Sequence, residues 1–509
     1  MRERIGRLWD SRPFQMLCLG LWVTAILLMP ITSLPVIRKI SGASTVAPPT
    51  DILFLLLALI WLFPFLLRRG KVPVEGIPLI FFIAVVVISW GAAFFIETPS
   101  YRGRNPLTEA PQAFVTMSIG LAVYFLTATF LSANQDRLTG TLRLLNYSGL
   151  VLIVWCLAQS MVVFYMNGKY PGWMMEFQDL LSSRRIPLFA DRVTGMAYEP
   201  SWLAHQLNML YLPIWLAATL CGFTAQKRRL WKFSLENFLL FTGVFVLFAS
   251  LSRVGVITFL MVLAWLMFLG MIKWVKSFSN WIFSRLHLRS SHAWIASVTR
   301  VALTIILLVA ITVTYLLAGV GLFYLGVRFD ARLARILEQD FQNVGTFLEV
   351  TNKLAIAERV IYWAAGMSIF RDYPLLGVGL GNAGLYFLKK MPAYGWGLWE
   401  ISLLFNYRTM IPNTKSLWVR ILAESGLIGF AVFMGWYYLL WKSAWFSRQS
   451  KDPRLRMIGL AGSIVLFGFL LEGFSVASYA LPFFWFSVGL LSAVGSLARM
   501  QITADPSGE

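Results

Sequence analysis

Charged residues are scarce in this chain of 509 residues: they make up 13% of it, whereas hydrophobic residues make up 58%. A soluble globular domain carries about 25% charged residues, so the composition excludes a soluble fold. Apolar stretches long enough to cross about 30 Å of hydrocarbon recur along the whole chain. Only helices and closed barrels satisfy the backbone in lipid, and these stretches lack the alternation of barrel strands. The sequence therefore predicts an all-α integral membrane protein.

Cysteine and histidine are also rare, with three residues of each. Cys18, Cys156 and Cys221 all lie within apolar stretches, so neither a disulfide framework nor a cysteine metal site is predicted. The chain lacks a Walker A glycine loop, His-Glu-x-x-His, Cys-x-x-Cys and Gly-x-Ser-x-Gly. The sequence therefore predicts no metal, no cofactor and no hydrolysis of ATP.

The apolar stretches predict about twelve transmembrane helices in one polytopic domain over residues 1–509. They are expected at about 14–34, 51–67, 77–96, 113–132, 144–166, 200–221, 234–250, 254–272, 301–325, 426–441, 457–475 and 481–497. Lys and Arg in the short connections then fall mostly on one side, which the positive-inside rule assigns to the cytoplasm together with both termini. The other side receives one large helix-containing loop, 327–423, between helices 9 and 10.

The net charge of +20 comes from 44 Lys and Arg against 24 Asp and Glu. In a soluble protein such a balance would suggest nucleic acid as the partner. Here most of the positive charge lies in the cytoplasmic connections, where topology and contact with anionic lipid explain it. No nucleic-acid partner is therefore expected.

A second group of arginines is predicted at helix ends and in the large loop on the opposite, outward side: Arg184, Arg185, Arg192, Arg253 and Arg359. The planar guanidinium group is well suited to phosphate. Arg253 stands between two apolar helices with almost no loop, and charge at that depth is costly enough to suggest a function. The alternative is a helix-end residue whose side chain reaches out to the interface.

Glu199 and His205 lie close to these arginines in sequence. Glu199 precedes Pro200 at a predicted helix start, where an acid also favours the positive end of the helix dipole, so simple capping is an equal alternative to a function. His205 follows one and a half turns later. It could face the same cavity, or it could be a satisfied interior histidine.

The large loop is predicted to contain an amphipathic helix over Leu354–Phe370 that caps the membrane domain. Glycines with the spacing of a nucleotide-binding loop follow, but no strand precedes them, so a tight turn is predicted at Gly377, Gly379, Gly381 and Gly384. Aromatic residues come next, and a membrane-interface belt or packing is favoured over a sugar-stacking surface for Tyr386, Tyr394, Trp396 and Trp399.

Four segments in order resemble the O-antigen polymerase and ligase superfamily of bacterial polysaccharide enzymes. They are Arg192–Ser201, Ser252–Gly255, Ala357–Trp363 with Pro374–Gly381, and Pro412–Gly429. The resemblance covers roughly residues 190–430 and implies a glycosyltransferase-C-like fold in the bacterial cytoplasmic membrane. It also implies metal-independent transfer of saccharide from undecaprenyl pyrophosphate at the outer face of that membrane. A flippase and a chain-length regulator would then be partners.

The resemblance also implies roles for particular residues. Arg253 and Arg359 match the arginines of the superfamily that contact pyrophosphate, and Arg184, Arg185, Arg192 and His205 are further candidates for binding pyrophosphate or sugar. Ligases have a histidine where this chain has Lys415, which favours a polymerase over a ligase. Glu199 is then the preferred base, with Lys415 as a phosphate contact or an alternative base.

Two alternatives of another class are a secondary transporter and a lipid-oligosaccharide flippase. About twelve helices and a cationic vestibule would also suit a carrier of anions, but a carrier predicts two related halves with paired broken helices. The sequence shows neither feature. A flippase would not need so structured an outward loop.

Overall fold

A computed structural model describes residues 11–41, 47–182, 184, 188–226, 229, 233–285, 351, 356–407 and 411–504, with isolated positions between 298 and 324. The described part of the chain is helical and has no strand, which confirms the all-α prediction. The chain divides into two compact units, one of Met1–Val256 with Glu358–Glu509 and one of Ile257–Ala357. The first unit contains nearly all of the described helices.

The described helices are numbered here in chain order. They are α1 Arg12–Leu27, α2 Pro35–Ser41, α3 Pro49–Leu67, α4 Val74–Phe95, α5 Pro106–Ser132, α6 Asp136–Tyr165, α7 Gly172–Leu181, α8 200–221, α9 Leu235–Ala249, α10 Arg253–Arg285, α11 Ala357–Asp372, α12 Ala383–Lys390, α13 Trp399–Tyr407, α14 Leu417–Gln449, α15 Pro453–Glu472 and α16 Pro482–Ala504. Helices α3 and α8 each contain one π-helical turn, at Ala58–Leu62 and Leu207–Tyr211.

Eight helices in the described residues are long and apolar enough to cross a membrane: α3, α4, α5, α6, α10 over Arg253–Met271, α14, α15 and α16 over Pro482–Gln501. Helices α1 and α9 are apolar but shorter, and α8 forms where a helix was predicted. The predicted helix at 301–325 is described only at scattered positions, which are helical, and 327–350 of the predicted large loop lies outside the described residues. The structure thus supports a membrane protein of at least eight candidate spans.

Helix α14 begins nine residues earlier than its predicted start at residue 426. Its first turns contain Arg420 and Glu424, which precede the predicted helix, and the two side chains form an ion pair at 2.9 Å and are largely buried. Gly426 interrupts the helix with φ 65° and ψ −165°. The charged turns are therefore a short helical segment joined to the membrane helix at a glycine.

The first unit brings several helix ends together. The start of α14 touches the end of α15, because Leu417 N donates to Gly473 O at 2.8 Å. The first turns of α8 touch the same end of α15 through His205 and Glu472. The first turn of α10 touches α8, where Asn208 Nδ2 donates to Gly255 O at 2.8 Å. The candidate site residues at these ends are Glu199, His205, Arg253 and Lys415.

Candidate functional site

Arg184 and Arg192 both contact the same aromatic ring, that of Phe189. Each guanidinium carbon is 4.3 Å from the ring centroid of Phe189, a distance at which cation–π attraction holds the groups in place. Arg184 also faces Glu199 at 3.5 Å, and Arg192 faces Asp191 at 3.6 Å. Arg185 lies outside the described residues. The structure therefore brings two of the three predicted arginines of this segment together with Glu199.

The loop before α8 is held in place by a buried glutamine of α6. Gln159 Oε1 accepts from the backbone N–H groups of Thr194 and Gly195 at 3.0 and 2.8 Å, and its Nε2 donates to Gly195 O at 3.0 Å. Gly195 has φ 65°, a conformation that glycine adopts readily. Val193 N adds a bond to Ala249 O at 3.0 Å. The loop is thus an anchored platform for the arginines.

Glu199 occupies the position just before α8, but its side chain does not cap the helix. Its Oε1 accepts from the Ser201 hydroxyl at 2.7 Å, while Oε2 faces Arg184. The side chain remains 39% exposed. Capping by the Glu199 side chain, the alternative considered from the sequence, is therefore absent, and the carboxylate is accessible at the mouth of the helix.

His205 has a partner that the sequence analysis missed. Its Nδ1 hydrogen-bonds Oε2 of Glu472, the last residue of α15, and Asn208 Nδ2 donates to Glu472 Oε1 at 2.8 Å. Glu472 is fully buried and His205 is 5% exposed. A glutamate inside an apolar stretch is itself a signal of function in a membrane protein, and that signal would have identified Glu472.

Arg359 is the third residue of α11, and its side chain binds the segment that follows α15. Its Nη1 donates to Ser475 Oγ at 2.9 Å and to Ser475 O at 3.2 Å. Burial lowers the pKa of Arg359, and the negative charges of Glu400, Glu472, Glu199 and Glu358 oppose that effect. Arg359 therefore lies within electrostatic range of both Glu199 and Glu472, which connects the two groups of residues.

Lys415 lies just before α14 in a left-handed backbone conformation with φ 52°. A non-glycine residue in this region costs about 1–3 kcal/mol, so the surrounding structure must hold it there. Its Nζ is 3.5 Å from Glu400 Oε1 and 5.6 Å from the ring centroid of Tyr362. The sequence analysis did not identify Glu400, whose place in a short helix of the loop carried no distinguishing pattern.

Arg253 is the first residue of α10 and is partly exposed. Gly255, two residues later, packs closely on α8, because a Cβ at that position would lie 2.4 Å from the Ala204 side chain. Gly255 O also accepts from Asn208, the residue that binds Glu472. The structure therefore places the start of Arg253's helix beside the Glu472 group.

The predicted glycine turn is confirmed at three positions with positive φ, at Gly377, Gly379 and Gly381. The four predicted aromatics differ in environment. Tyr386 is buried against Tyr373, with ring centroids 5.7 Å apart, so its role is packing. The other three side chains are exposed: Tyr394, Trp396 and Trp399.

Four described cations, Arg184, Arg192, Arg359 and Lys415, accompany three carboxylates, Glu199, Glu400 and Glu472, around the adjoining ends of α8, α14 and α15. Such an array can bind a polyanion through the cations and move a proton through a carboxylate. In the described part of the chain, no group of three or more His, Cys, Asp or Glu side chains is arranged to hold a metal ion.

Comparison with known proteins finds no family model that matches the chain. Comparison with curated proteins finds no match either.

Proposed function

We propose that this protein is a polysaccharide polymerase of the bacterial cytoplasmic membrane that uses saccharide linked to undecaprenyl pyrophosphate as the donor. The observation that carries the proposal is a set of linked contacts: Arg184 lies 3.5 Å from the accessible Glu199 and shares the Phe189 ring with Arg192. The charges of Glu199 and Glu400 both act on Arg359, and Lys415 lies 3.5 Å from Glu400. Fixed cations next to one accessible carboxylate provide what transfer from a lipid pyrophosphate requires.

The arginines stabilise the leaving group. As the bond between the sugar C1 and the phosphate oxygen breaks, the electron pair stays on the pyrophosphate, and its negative charge grows. Arg253 and Arg359 are the proposed pyrophosphate contacts, with Arg184 and Arg192 beside them. Preorganised donors aimed at developing charge are worth about 10²–10³ in rate each.

Glu199 is the proposed base. The acceptor hydroxyl attacks C1 of the donor sugar, and its proton passes to the carboxylate of Glu199. Ser201 and Arg184 hold that carboxylate at the helix mouth. The pyrophosphate is displaced directly, so the anomeric centre is inverted.

The identity of residue 415 favours a polymerase over a ligase. This chain has a lysine where ligases of the superfamily that it resembles have a histidine, and the Lys415 ammonium lies beside Glu400. An ammonium can contact phosphate, which fits a donor held for repeated extension of a chain. The proposed site faces the outside of the membrane, with both termini in the cytoplasm, as the positive-inside rule indicates.

The proposal is tested with purified protein in lipid vesicles that contain undecaprenyl-pyrophosphate oligosaccharide. We expect saccharide chains longer than the donor unit, detected by electrophoresis and mass spectrometry. Arg359→Ala should lower the rate about 10²–10³-fold, and Glu199→Gln should abolish polymerisation because the amide cannot accept the proton. Arg371→Ala is the matched control, because Arg371 is exposed in the last turn of the same helix.

Two outcomes would contradict the proposal. Movement of the donor across the vesicle membrane without new glycosidic bonds would favour a flippase or transporter. Normal chain growth by Glu199→Gln would exclude Glu199 as the base while leaving the donor site in place.

A further inference from the structure

Glu472 is a buried carboxylate that the proposed reaction does not yet use. It ends α15, its side chain is fully buried, and it hydrogen-bonds His205 Nδ1 and accepts from Asn208 Nδ2, both on α8. Asn208 also binds Gly255 O at 2.8 Å. Charge at the end of a membrane-length helix is costly, so a carboxylate kept there with partners from a neighbouring helix indicates a function.

The six residues that begin at Glu472 form a turn, called here the Glu472 turn (residues 472–477). Backbone bonds close it, because Ser475 N and Val476 N donate to Glu472 O at 2.8 and 3.0 Å. Other site elements bind to it: Gly473 O accepts from Leu417 N at 2.8 Å and from Ser416 Oγ at 3.0 Å, Ser475 accepts from Arg359, and Ala477 O accepts from Arg420 at 2.7 Å. The turn thus joins α8, α11, α14 and α15.

Arg359 depends on this turn for its position. One of its terminal nitrogens, Nη1, is held by both the hydroxyl and the carbonyl of Ser475. The charge of Glu472 also acts on Arg359 and raises its pKa, opposing the larger effect of burial. A guanidinium has five N–H donors, so a group held at one nitrogen retains others for a phosphate oxygen.

We infer that Glu472 is a positioning residue: it anchors the turn that holds Arg359 in place for the departing pyrophosphate. This inference rests on the proposed function. Stabilisation of a leaving group requires the cation to be in position before charge develops, and a displacement of about 1 Å can cost about 100-fold in rate. Glu472 acts through Arg359 and does not touch the substrate.

A double-mutant experiment tests the inference in the vesicle assay. Glu472→Gln should lower kcat about 10- to 100-fold, with the KM for the donor changed less than about threefold, since positioning affects the transition state more than binding. The same change is then made in an Arg359→Lys background, where the ammonium group cannot make the paired contacts of the guanidinium. There Glu472→Gln should lower kcat less than about threefold, because the effects of residues that act together are not additive.

Two controls separate positioning from loss of fold. Glu75→Gln removes another buried carboxylate, which pairs with Arg499 at the start of α4 and contacts none of the described site residues, so it should leave kcat unchanged. Ser475→Ala removes one of the two acceptors of Arg359 and should lower kcat even if Glu472→Gln fails to fold.

The results distinguish failure of the inference from failure of the proposed function. If the unaltered protein makes no glycosidic bonds, the proposed function is wrong and the inference falls with it. If the unaltered protein polymerises but Glu472→Gln and Ser475→Ala keep full kcat, only the inference is overturned. Additive losses for Glu472→Gln and Arg359→Lys would also overturn it, because Glu472 would then act independently of Arg359.

Discussion

Arg420 and Glu424 illustrate how single charged residues are accommodated at the start of a membrane-length helix. They lie one turn apart in α14 and form an ion pair at 2.9 Å, with side-chain exposures of 15% and 5%. Arg420 also donates to Ala477 O and lies 4.8 Å from the Tyr479 ring centroid. The pair links α14 to the segment that contains the Glu472 turn.

The pair predicts a pattern of stability. Arg420→Met should destabilise the protein by about 3–5 kcal/mol, because it leaves the Glu424 carboxylate buried without its partner. The double variant Arg420→Met with Glu424→Leu should cost less than Arg420→Met alone, since neither charge then remains buried. Thermal unfolding in detergent measures both. If the double variant were less stable than Arg420→Met, the prediction would be wrong, because the Glu424 side chain would then stabilise the protein even without its partner.

The glycine turn after α11 binds α14 at the point where Gly426 interrupts that helix. The helix lacks its regular bonds near Gly426, and the turn replaces them: Val378 N donates to Ala423 O at 3.0 Å and Gly379 N to Glu424 O at 2.9 Å. Leu427 N donates to Pro374 O at 2.8 Å. The glycine turn is therefore a backbone clamp on α14 and not a phosphate loop.

Gly426→Ala should disrupt this clamp. A Cβ at residue 426 would lie 2.2 Å from Leu375 O, and φ is 65° there. The strain alone costs about 1–3 kcal/mol, and the collision adds to it. Gly435→Ala in the same helix is the control, because nothing lies within 4 Å of a Cβ at that position. It should be neutral or stabilise by up to about 1 kcal/mol. Equal melting temperatures for the two variants would contradict the prediction.

At the scale of the whole molecule, the orientation in the membrane can be tested with two exposed lysines. Lys169 follows α6, and Lys451 lies between α14 and α15. The positive-inside rule places Lys169 outside and Lys451 in the cytoplasm. Each is replaced by cysteine in a background whose native residues Cys18, Cys156 and Cys221 are replaced by alanine.

A membrane-impermeant maleimide should then label residue 169 in intact cells and residue 451 only after the membrane is opened. This result would place the proposed site on the outer side. Labelling of residue 451 alone in intact cells would invert the orientation, and the proposed donor site would then face the cytoplasm.

The membrane class of the protein and the positions of most helices were predictable from the sequence, because long apolar stretches are a local property that burial in lipid requires. The sequence also identified the cations and Glu199, since arginine at outward helix ends stands out locally. It left Arg420 and Glu424 outside the helix predicted from about residue 426, and the structure places both on a short helical segment that precedes the interruption at Gly426.

The assembly of the site could not be predicted from the sequence, because it depends on contacts between distant parts of the chain. His205 and Glu472 are 267 residues apart in sequence, and Arg359 and Ser475 are 116 apart, so no local pattern indicates that they meet. Their contact depends on how α8, α11 and α15 pack, and packing is set by many side chains at once. The cations of the proposed site were therefore visible in the sequence, whereas the turn that holds Arg359 was not.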